Sequence, residues 1–413
     1  MNVRRSAAVL AATAVIGAAA PAVAASPSPS PSVAIPEGLY GAGDPTYDGV
    51  WRQSLTLLAL NRQGVIPAQK AEDWLAGQQC ASGAFPAFRA DTTKPCDAKV
   101  MVDTNSTAAA VQALATVTSQ HEDAVRKGLA WLKSVQNEDG GWGYTAGGAT
   151  DANSTSVVID AILAASMTGT GSMKSFEKDG KTPSDALLKL ALPCTGDGGA
   201  FAYQPDKKGK LVANADATAA AVLSGLGGQP QIFLLGGEQA SKSCEKPRDF
   251  ERAVHNGASY LAGTMAKDKY LKSALPGAED QPDYGNTADA VVALSAADFN
   301  DEAAASVHWL ETHALKWAAQ SGPAAYAQLI FAARAGGVDP REFGGKNLVT
   351  LLNATGPKPE HVPTLDEEPL LEANTDEDDD DGALTVAWTV GGGLLLGSLI
   401  GSALMLRGRK REQ

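Results

Sequence analysis

Two kinds of helical pattern alternate along the middle of the chain. One carries a narrow aromatic and aliphatic stripe among polar positions, as in KGLAWLKSVQNEDGGWG at 127–143 and KAEDWLAGQQCASGAF at 70–85. The other is rich in alanine and apolar on nearly all sides, as in DTNSTAAAVQALATV from Asp103. A helix with a polar face lies at the surface, whereas a helix that is apolar all round is buried. The alternation therefore predicts outer and inner helices that follow each other in turn.

The outer segments share one template: a basic residue, a small residue, an aromatic–aliphatic pair, a glutamine, a glycine and an aromatic at fixed offsets. It is complete in the two segments quoted, and weaker copies are centred on Leu190, Tyr260 and Trp309. A last outer helix follows Arg341. The inner segments open with helix-start residues, at Tyr47, Asp103, Asp151, Asn214, Tyr284 and Pro323. Six helices of each kind predict an all-α protein with an α6/α6 toroid over residues 40–356.

The segments around this region have other compositions. Residues 1–25 have a positive start, an apolar run and small residues at 22–24, which is typical of a signal peptide. A Pro/Ser-rich spacer follows at 26–39. Residues 357–382 contain a run of acids that predicts a disordered stalk.

Residues 383–406 hold no charge over 24 positions, long enough for a membrane-spanning helix, and the tail 407–413 is basic. We therefore expect a single-pass protein of the cell membrane with an extracellular domain and a cytoplasmic C-terminus. Gly393, Gly397 and Gly401 repeat every fourth residue, a pattern typical of paired transmembrane helices and hence of a dimer.

Charge and cysteine usage narrow the function classes. The net charge of −13 excludes a general affinity for nucleic acid. Four cysteines in an exported chain indicate two disulfides. Sequence order favours Cys80–Cys96 and Cys194–Cys244, because each pair brackets a loop.

The template Lys-Gly/Ala-x-x-aromatic-aliphatic-x-x-x-Gln-x-x-x-Gly-x-aromatic resembles the QW repeat of squalene and oxidosqualene cyclases. Their α/α-toroid superfamily also includes protein prenyltransferases. Separately, VDTNSTAAAVQALA is similar to inner-helix starts in the helical domain of the vitamin B12 carriers, transcobalamin and intrinsic factor. The first resemblance implies the fold but not the function, because one fold hosts many functions. The second implies a corrinoid or another flat, bulky ligand.

The catalytic motifs of the related enzymes are either outside the predicted toroid or not found in this sequence. The Asp-x-Asp-Asp motif of terpene cyclases occurs only within residues 376–381, in the predicted stalk. A prenyltransferase needs zinc ligands, but the cysteines are assigned to disulfides, and His308 and His313 are five residues apart on a helix. We therefore expect no metal and no cofactor, and we favour binding over catalysis.

Thirteen side chains begin the inner helices or follow the glycine-rich turns before them, and together they form the predicted ligand site. They are Asp103, Asn105, Asp151, Asn153, Asn214, Asp216, Phe88, Trp142, Tyr144, Phe201, Tyr203, Tyr284 and Asn286. Aromatic rings together with a few amide and carboxylate groups suit a flat amphipathic ligand. The acids are equally explained as helix caps, and the aromatics as bridges between helix pairs. Three further residues, Gln112, Asp160 and Gln328, hold inner-helix positions that project into the lumen.

Three functions remain open. The favoured one is a membrane-anchored extracellular protein that binds a small molecule, with a membrane transport system as a candidate partner. The second is a cell-surface hydrolase or lyase, acting on carbohydrate or lipid, with Asp103 and Asp151 as the paired carboxylates. The third is a structural or adhesion module whose ring is filled by its own side chains.

Overall fold

The computed structural model describes residues 34–117, 119–196, 198–227, 244–274 and 278–363. In chain order the helices of this part are α1 (Gly49–Arg62), α2 (Gln69–Gly77), α3 (Thr104–Val117), α4 (Glu122–Ser134), α5 (Ala152–Met167), α6 (Pro183–Leu188), α7 (Ala215–Gly227), α8 (Phe250–Met265), α9 (Tyr284–Ala296), α10 (Asn300–His313), α11 (Leu315–Ser321), α12 (Pro323–Ala335) and α13 (Leu348–Asn353). Two short strands, β1 (Leu271–Lys272) and β2 (Pro282–Asp283), pair antiparallel before α9. The predicted all-α class is thus correct apart from this small ribbon.

Six of the helices form a closed inner ring. In order around the ring, α1 packs on α3, α3 on α5, α5 on α7, α7 on α9, α9 on α12, and α12 returns to α1. Alanines along these helices are fully buried, among them Ala109, Ala161 and Ala220. Because alanine has a short side chain, it lets neighbouring helices approach closely and keeps the ring tight. The predicted inner helices are therefore confirmed.

The inner helices all run in the same direction. At their carboxyl ends, the Asn61 amide donates to the Thr116 carbonyl (3.1 Å), and the Ser295 hydroxyl donates to the Ala335 carbonyl (2.7 Å). These bonds join α1 to α3 and α9 to α12. The amino ends of the inner helices consequently gather at the opposite rim.

The other helices form the outer layer. Each inner helix contacts an outer helix: α2 packs on α1 and on α3, α4 on α3, α6 on α5, α8 on α7, α10 on α9, and α13 on α12. The template copies at Trp131, Tyr260 and Trp309 lie inside α4, α8 and α10, as predicted. The copy around Leu190 falls just beyond the short α6. Helix α11 was not predicted; it is an additional outer helix that packs on α12.

A threonine near the start of an inner helix ties that helix to the turn before it. Its hydroxyl accepts a hydrogen bond from the backbone N–H of the residue that ends the template. The pairs are Thr107 with Phe85, Thr155 with Trp142, Thr218 with Phe201, and Thr287 with Leu271, at 2.9 to 3.1 Å. In these four inner helices, the threonine therefore marks the side that faces the outer layer.

The template glycine lets that turn lie against the next outer helix. Gly83, Gly140 and Gly199 all have positive φ, which glycine adopts without strain. A side chain at Gly83 would place its Cβ 2.2 Å from the Lys127 carbonyl of α4. The template glutamine reinforces the turn, since the Gln136 amide donates to the carbonyls of Gly140 and Phe176 at 2.7 Å. The template is thus a device that joins successive repeats.

The sixth repeat is assembled from both ends of the toroid. Its outer helix is α13, but its Gly-x-aromatic turn is the Gly-Leu-Tyr at 38–40. Tyr40 is fully buried, and its N–H donates to the Gln53 side chain of α1 (2.9 Å), as the other turns donate to threonine. The Gly41 N–H donates to the Thr355 carbonyl (2.8 Å). The first and last parts of the toroid therefore close the ring.

The folded region extends beyond the predicted domain end at 356. His361 forms a β-bridge with Ile66, and the Glu360 carboxylate accepts a bond from the Gln69 N–H (3.0 Å). The ring of Pro363 lies beside Gly64, directly after α1. Residues 357–363, predicted as the start of the stalk, thus pack on the toroid.

Both predicted disulfides are present. Cys80–Cys96 joins the end of the first template copy to the loop before α3, and Cys194–Cys244 joins the segment after α6 to the segment before α8.

No helix in the described part of the chain has the length and apolar character needed to cross a membrane. The predicted signal peptide, span, basic tail and glycine face lie outside the described residues, as do the spacer up to residue 33 and the stalk from 364.

Candidate functional site at the mouth of the inner ring

The amino ends of the inner helices and the turns before them form one mouth. The Thr104 N–H at the start of α3 donates to the Tyr144 carbonyl in the turn before α5 (2.8 Å). In the same way, the Ala152 N–H at the start of α5 donates to the Tyr203 carbonyl in the turn before α7 (3.0 Å). The predicted gathering of Asp103, Asp151 and their neighbours at one rim is therefore what the structure has.

The residues directly before the inner helices act as helix caps. Each side-chain oxygen accepts a bond from a backbone N–H three residues on, at 2.6 to 3.0 Å. The pairs are Asp103 with Ser106, Asp151 with Ser154, Asn214 with Ala217, and Asp283 with Asn286. Such a bond satisfies one of the helix's otherwise unpaired donors. The side chains of these four residues therefore stabilise the amino ends of their own helices.

Burial perturbs the capping carboxylates. It raises the pKa of both Asp103 and Asp151 to about 6, although bonds from Ser106 and Ser154 act in the other direction. Burial likewise raises the pKa of Asp283. Removing a carboxylate from water disfavours its charged form, which is why the shift is upward. Asp103 and Asp151 therefore titrate closer to neutrality than ordinary aspartates.

Two tyrosines cover these caps. Tyr144 is half-buried, and burial followed by the nearby Asp103 charge raises its pKa. Tyr203 is 40% exposed, and its hydroxyl donates to the Asp151 carboxylate. Burial, and then the charges of Asp151 and Asp216, raise the pKa of Tyr203 as well. Both phenols stay protonated and serve as donors with an apolar face.

A second set of polar side chains points into the ring. Asn105, Asn153, Asp216 and Asp289 each lie two residues from the threonine that faces the outer layer, which is about 200° around a helix. The Asn153 amide donates to the Asp216 carboxylate (2.7 Å), and the Gln328 amide donates to the Asp289 carboxylate (3.0 Å). Amide–carboxylate pairs therefore link α5 to α7 and α9 to α12 inside the ring.

Several oxygens in this inward set are buried without a partner. Within the described residues, no protein group donates to Asn105 Oδ1, Asp160 Oδ1 or Asp289 Oδ1. Asp160 lies seven residues after Asn153, almost on the same face, and is 1% exposed. Burial raises the pKa of both Asp160 and Asp289 well above the usual value, and the Asp216 charge adds to the effect on Asp289. The inner surface of the ring thus presents carboxyl and amide oxygens that no donor among the described residues reaches.

Two of the predicted aromatic ligand contacts lie between the helix layers. Trp142 and Phe201 have no exposed surface; the Trp142 indole N–H donates to the Leu132 carbonyl of α4 (2.8 Å). The template turn directs both rings toward the outer helices, so they present no surface at the mouth. Phe88 is half-buried beside Gly49 at the amino end of α1, and it stacks on Trp74 of α2 with ring centroids 6.4 Å apart.

Tyr284 and Asn286 lie at the rim but are engaged by neighbours. The Tyr284 ring stacks on Trp309 (5.5 Å) and on Trp317 (5.7 Å). The Asn286 amide donates to Asp283 (2.9 Å). Both residues support the start of α9.

Sequence reasoning missed Asp289 and, apart from Tyr203, a collar of exposed apolar side chains. The sequence signal for Asp289 is an acidic residue within the otherwise apolar segment of α9. It lies inside the helix, whereas the predicted site residues begin the inner helices or precede them. The collar lies in the loops before the inner helices and consists of Tyr47 (60% exposed), Met101 (66%), Tyr203 (40%) and Val212 (58%). It brings apolar surface to the rim of a polar opening.

The described residues contain no group of three or more histidine, cysteine, aspartate or glutamate side chains placed to hold a metal ion.

Comparison with known proteins supports the fold. The profile of the squalene-hopene cyclase C-terminal domain matches residues 101–173, which include α3, α4, α5 and a complete template copy. No curated protein sequence matches the chain. The closed ring of helices is an α/α toroid, and the profile match shows that residues 101–173 of it are similar to the squalene-hopene cyclase C-terminal domain.

Two solved structures are similar in outline. A protein from Actinoplanes has a TM-score of 0.46 and 15% identity, and the alignment covers 74% of this chain and 96% of that one. An ent-copalyl diphosphate synthase from Streptomyces platensis has a TM-score of 0.46 and 18% identity, with 70% and 50% covered. The chain spans about half the length of that synthase.

Proposed function

We propose that this toroid of the squalene-cyclase type binds an amphipathic small molecule at the mouth of its inner ring. The observation that carries the proposal is the inward-facing row of polar side chains, in which Asp160 and Asp289 keep a buried oxygen without a protein donor. A buried polar atom without a partner costs about 1–3 kcal/mol, so such atoms are uncommon in a protein's own core. A ligand that donates to them offsets that cost.

The same observation argues against a ring filled by its own side chains. A structural module would be expected to satisfy its interior acceptors with its own donors. The collar of Tyr47, Met101, Tyr203 and Val212 argues in the same direction, because exposed apolar groups around a polar opening suit an amphipathic ligand.

The hydrolase or lyase alternative receives less support. It requires the carboxyl groups of Asp103 and Asp151 to be free for proton transfer or attack on a substrate. Their oxygens accept bonds from their own helices, and Asp151 also accepts from Tyr203. A pair of caps explains these contacts without chemistry.

A corrinoid is one candidate ligand, on the resemblance of the inner-helix starts to those of the B12 carriers. Delivery to a membrane transport partner, and attachment through the predicted span, belong to the same proposal. Pro363, the last described residue, lies beside the carboxyl end of α1, which is the end of the ring away from the mouth. A tether that follows it would leave the mouth open to the exterior.

Native mass spectrometry of the full chain, purified from a host that exports it, tests the proposal. We expect a retained small molecule in one-to-one ratio with the protein. An absorbance spectrum of the same sample identifies or rejects a corrinoid. Asp289→Asn should lower the retained fraction several-fold, whereas Asp298→Asn, at an exposed position after the other end of α9, should not. A preparation without ligand that also binds nothing from an extract of its host would refute the proposal.

A further inference from the structure

Three unpartnered polar atoms on the inward-facing side chains share one property. Asn105 Oδ1, Asp160 Oδ1 and Asp289 Oδ1 are all acceptors, and their side chains come from three different inner helices. A site that offers acceptors is satisfied by a ligand that donates. This property deepens the proposed function and rests on it.

The charges at the mouth have the same sign. The Asp216 carboxylate on α7 and the Asp289 carboxylate on α9 act on each other, and Asp283 acts on Asp289 as well. The buried cation of this rim, Arg52, is paired with Asp48 at 3.1 Å. Carboxylates that repel each other in a buried site are relieved when a cation lies between them.

The helix dipoles act in the opposite direction. Six helix amino ends at one mouth carry partial positive charge and would attract an anion. Much of that attraction depends on free backbone N–H groups, and at three of the six ends a capping carboxylate accepts from one of them: Asp103, Asp151 and Asp283 each bond to the first turn of their helix. The caps also place carboxylates at these amino ends. The net balance therefore favours a cation.

We infer that the mouth binds an amphipathic ligand through a protonated amine, with the ammonium group at Asp289 and Asp216 and the apolar part against the collar. The Gln328 and Asn153 amides each occupy one carboxylate oxygen, at 3.0 and 2.7 Å, and so hold the two carboxylates in place. Asp289 is 3% exposed, so an ammonium that reaches it loses its water and gains charge-assisted hydrogen bonds.

A matched pair of probes tests this inference. Octylamine and octanoate have the same alkyl chain and opposite charge, and each is titrated calorimetrically into the full chain below its micelle concentration. We expect octylamine to bind once per chain and at least ten-fold more tightly than octanoate. Equal or tighter binding of octanoate would overturn the inference and indicate that the helix dipoles dominate. This comparison needs only the wild-type protein.

Two variants locate the interaction. Asp289→Asn keeps an oxygen to accept from Gln328 but removes the charge, so octylamine affinity should fall at least ten-fold. Asp298→Asn removes one exposed charge beyond the opposite end of α9 and should leave the affinity unchanged. Circular dichroism confirms that both variants fold. Unchanged octylamine binding in Asp289→Asn would contradict the inference.

The outcomes separate this inference from the proposed function. A retained natural ligand without an amine would preserve the proposed function and overturn the inference. If no molecule is retained, none binds from the host extract, and neither probe binds, both fail.

Discussion

Replacing Asp103 by asparagine measures what the burial of its carboxylate costs. Burial raises the pKa of Asp103 from 3.8 to about 6, even though Ser106 donates to it. A shift of about two units corresponds to roughly 3 kcal/mol between the two protonation states. Asparagine accepts the same capping bond and is an equally good cap, so the substitution removes the charge and keeps the contact.

The sign of the pH dependence follows from the direction of the shift. Because the pKa is higher in the folded state, the protonated carboxyl stabilises the fold at pH values below about 4. This contribution is lost as the pH rises through about 6. Asparagine does not titrate. The free energy of unfolding of Asp103→Asn, relative to wild type, should therefore increase by up to about 3 kcal/mol between about pH 4 and pH 8.

The assay is urea unfolding followed by circular dichroism at several pH values. Asp249→Asn is the matched control, because Asp249 caps α8 through the Arg252 N–H in the same way but is exposed. Its substitution should give a much smaller pH-dependent difference. A difference for Asp103→Asn that is independent of pH would refute the assignment of a buried, perturbed carboxyl. The same variant would lose all turnover if Asp103 were a catalytic acid or base.

Three other changes test the architecture. Gly140→Ala should destabilise the fold by about 3 kcal/mol or more, because its Cβ would meet a carbonyl oxygen 2.3 Å away. Gly147→Ala also has positive φ but open space around it, so thermal unfolding should show a cost of only about 1 kcal/mol. Tyr40→Ala should cost about 3–5 kcal/mol and increase protease cleavage at the ring closure, and wild-type cleavage kinetics would contradict this. Reducing Cys80–Cys96 should lower stability by roughly 3 kcal/mol, and an unchanged midpoint for the Cys80→Ser, Cys96→Ser double variant would disprove this.

The ring and its mouth could be predicted because each repeat carries its own local signals. Alanine-rich segments that begin with Asp or Asn identify the inner helices, since both the caps and the burial depend on nearby residues. The disulfides followed from sequence order, because Cys80 and Cys96 bracket a single loop. These features need no knowledge of distant contacts.

The side on which each aromatic lies could not be predicted. The template gives Trp142 and Phe201 a position after a glycine turn, but the path of the turn decides whether a ring faces the outer layer or the mouth. Asp289 was passed over for a similar reason. Its role depends on Gln328, 39 residues later, and on the direction in which that part of α9 faces.

The sixth repeat is divided between residues 38–40 and α13, so its two parts leave the ribosome at different times. Tyr40 and Pro357, whose side chain and carbonyl meet, are 317 positions apart. At roughly 5–20 residues per second, the ribosome needs on the order of 15 to 60 s to add the second after the first. Throughout that interval the nascent chain has an open end that no later segment yet covers. The inner ring closes only after the last part of the toroid has been synthesised. A prematurely terminated chain therefore lacks the contact between Tyr40 and Pro357.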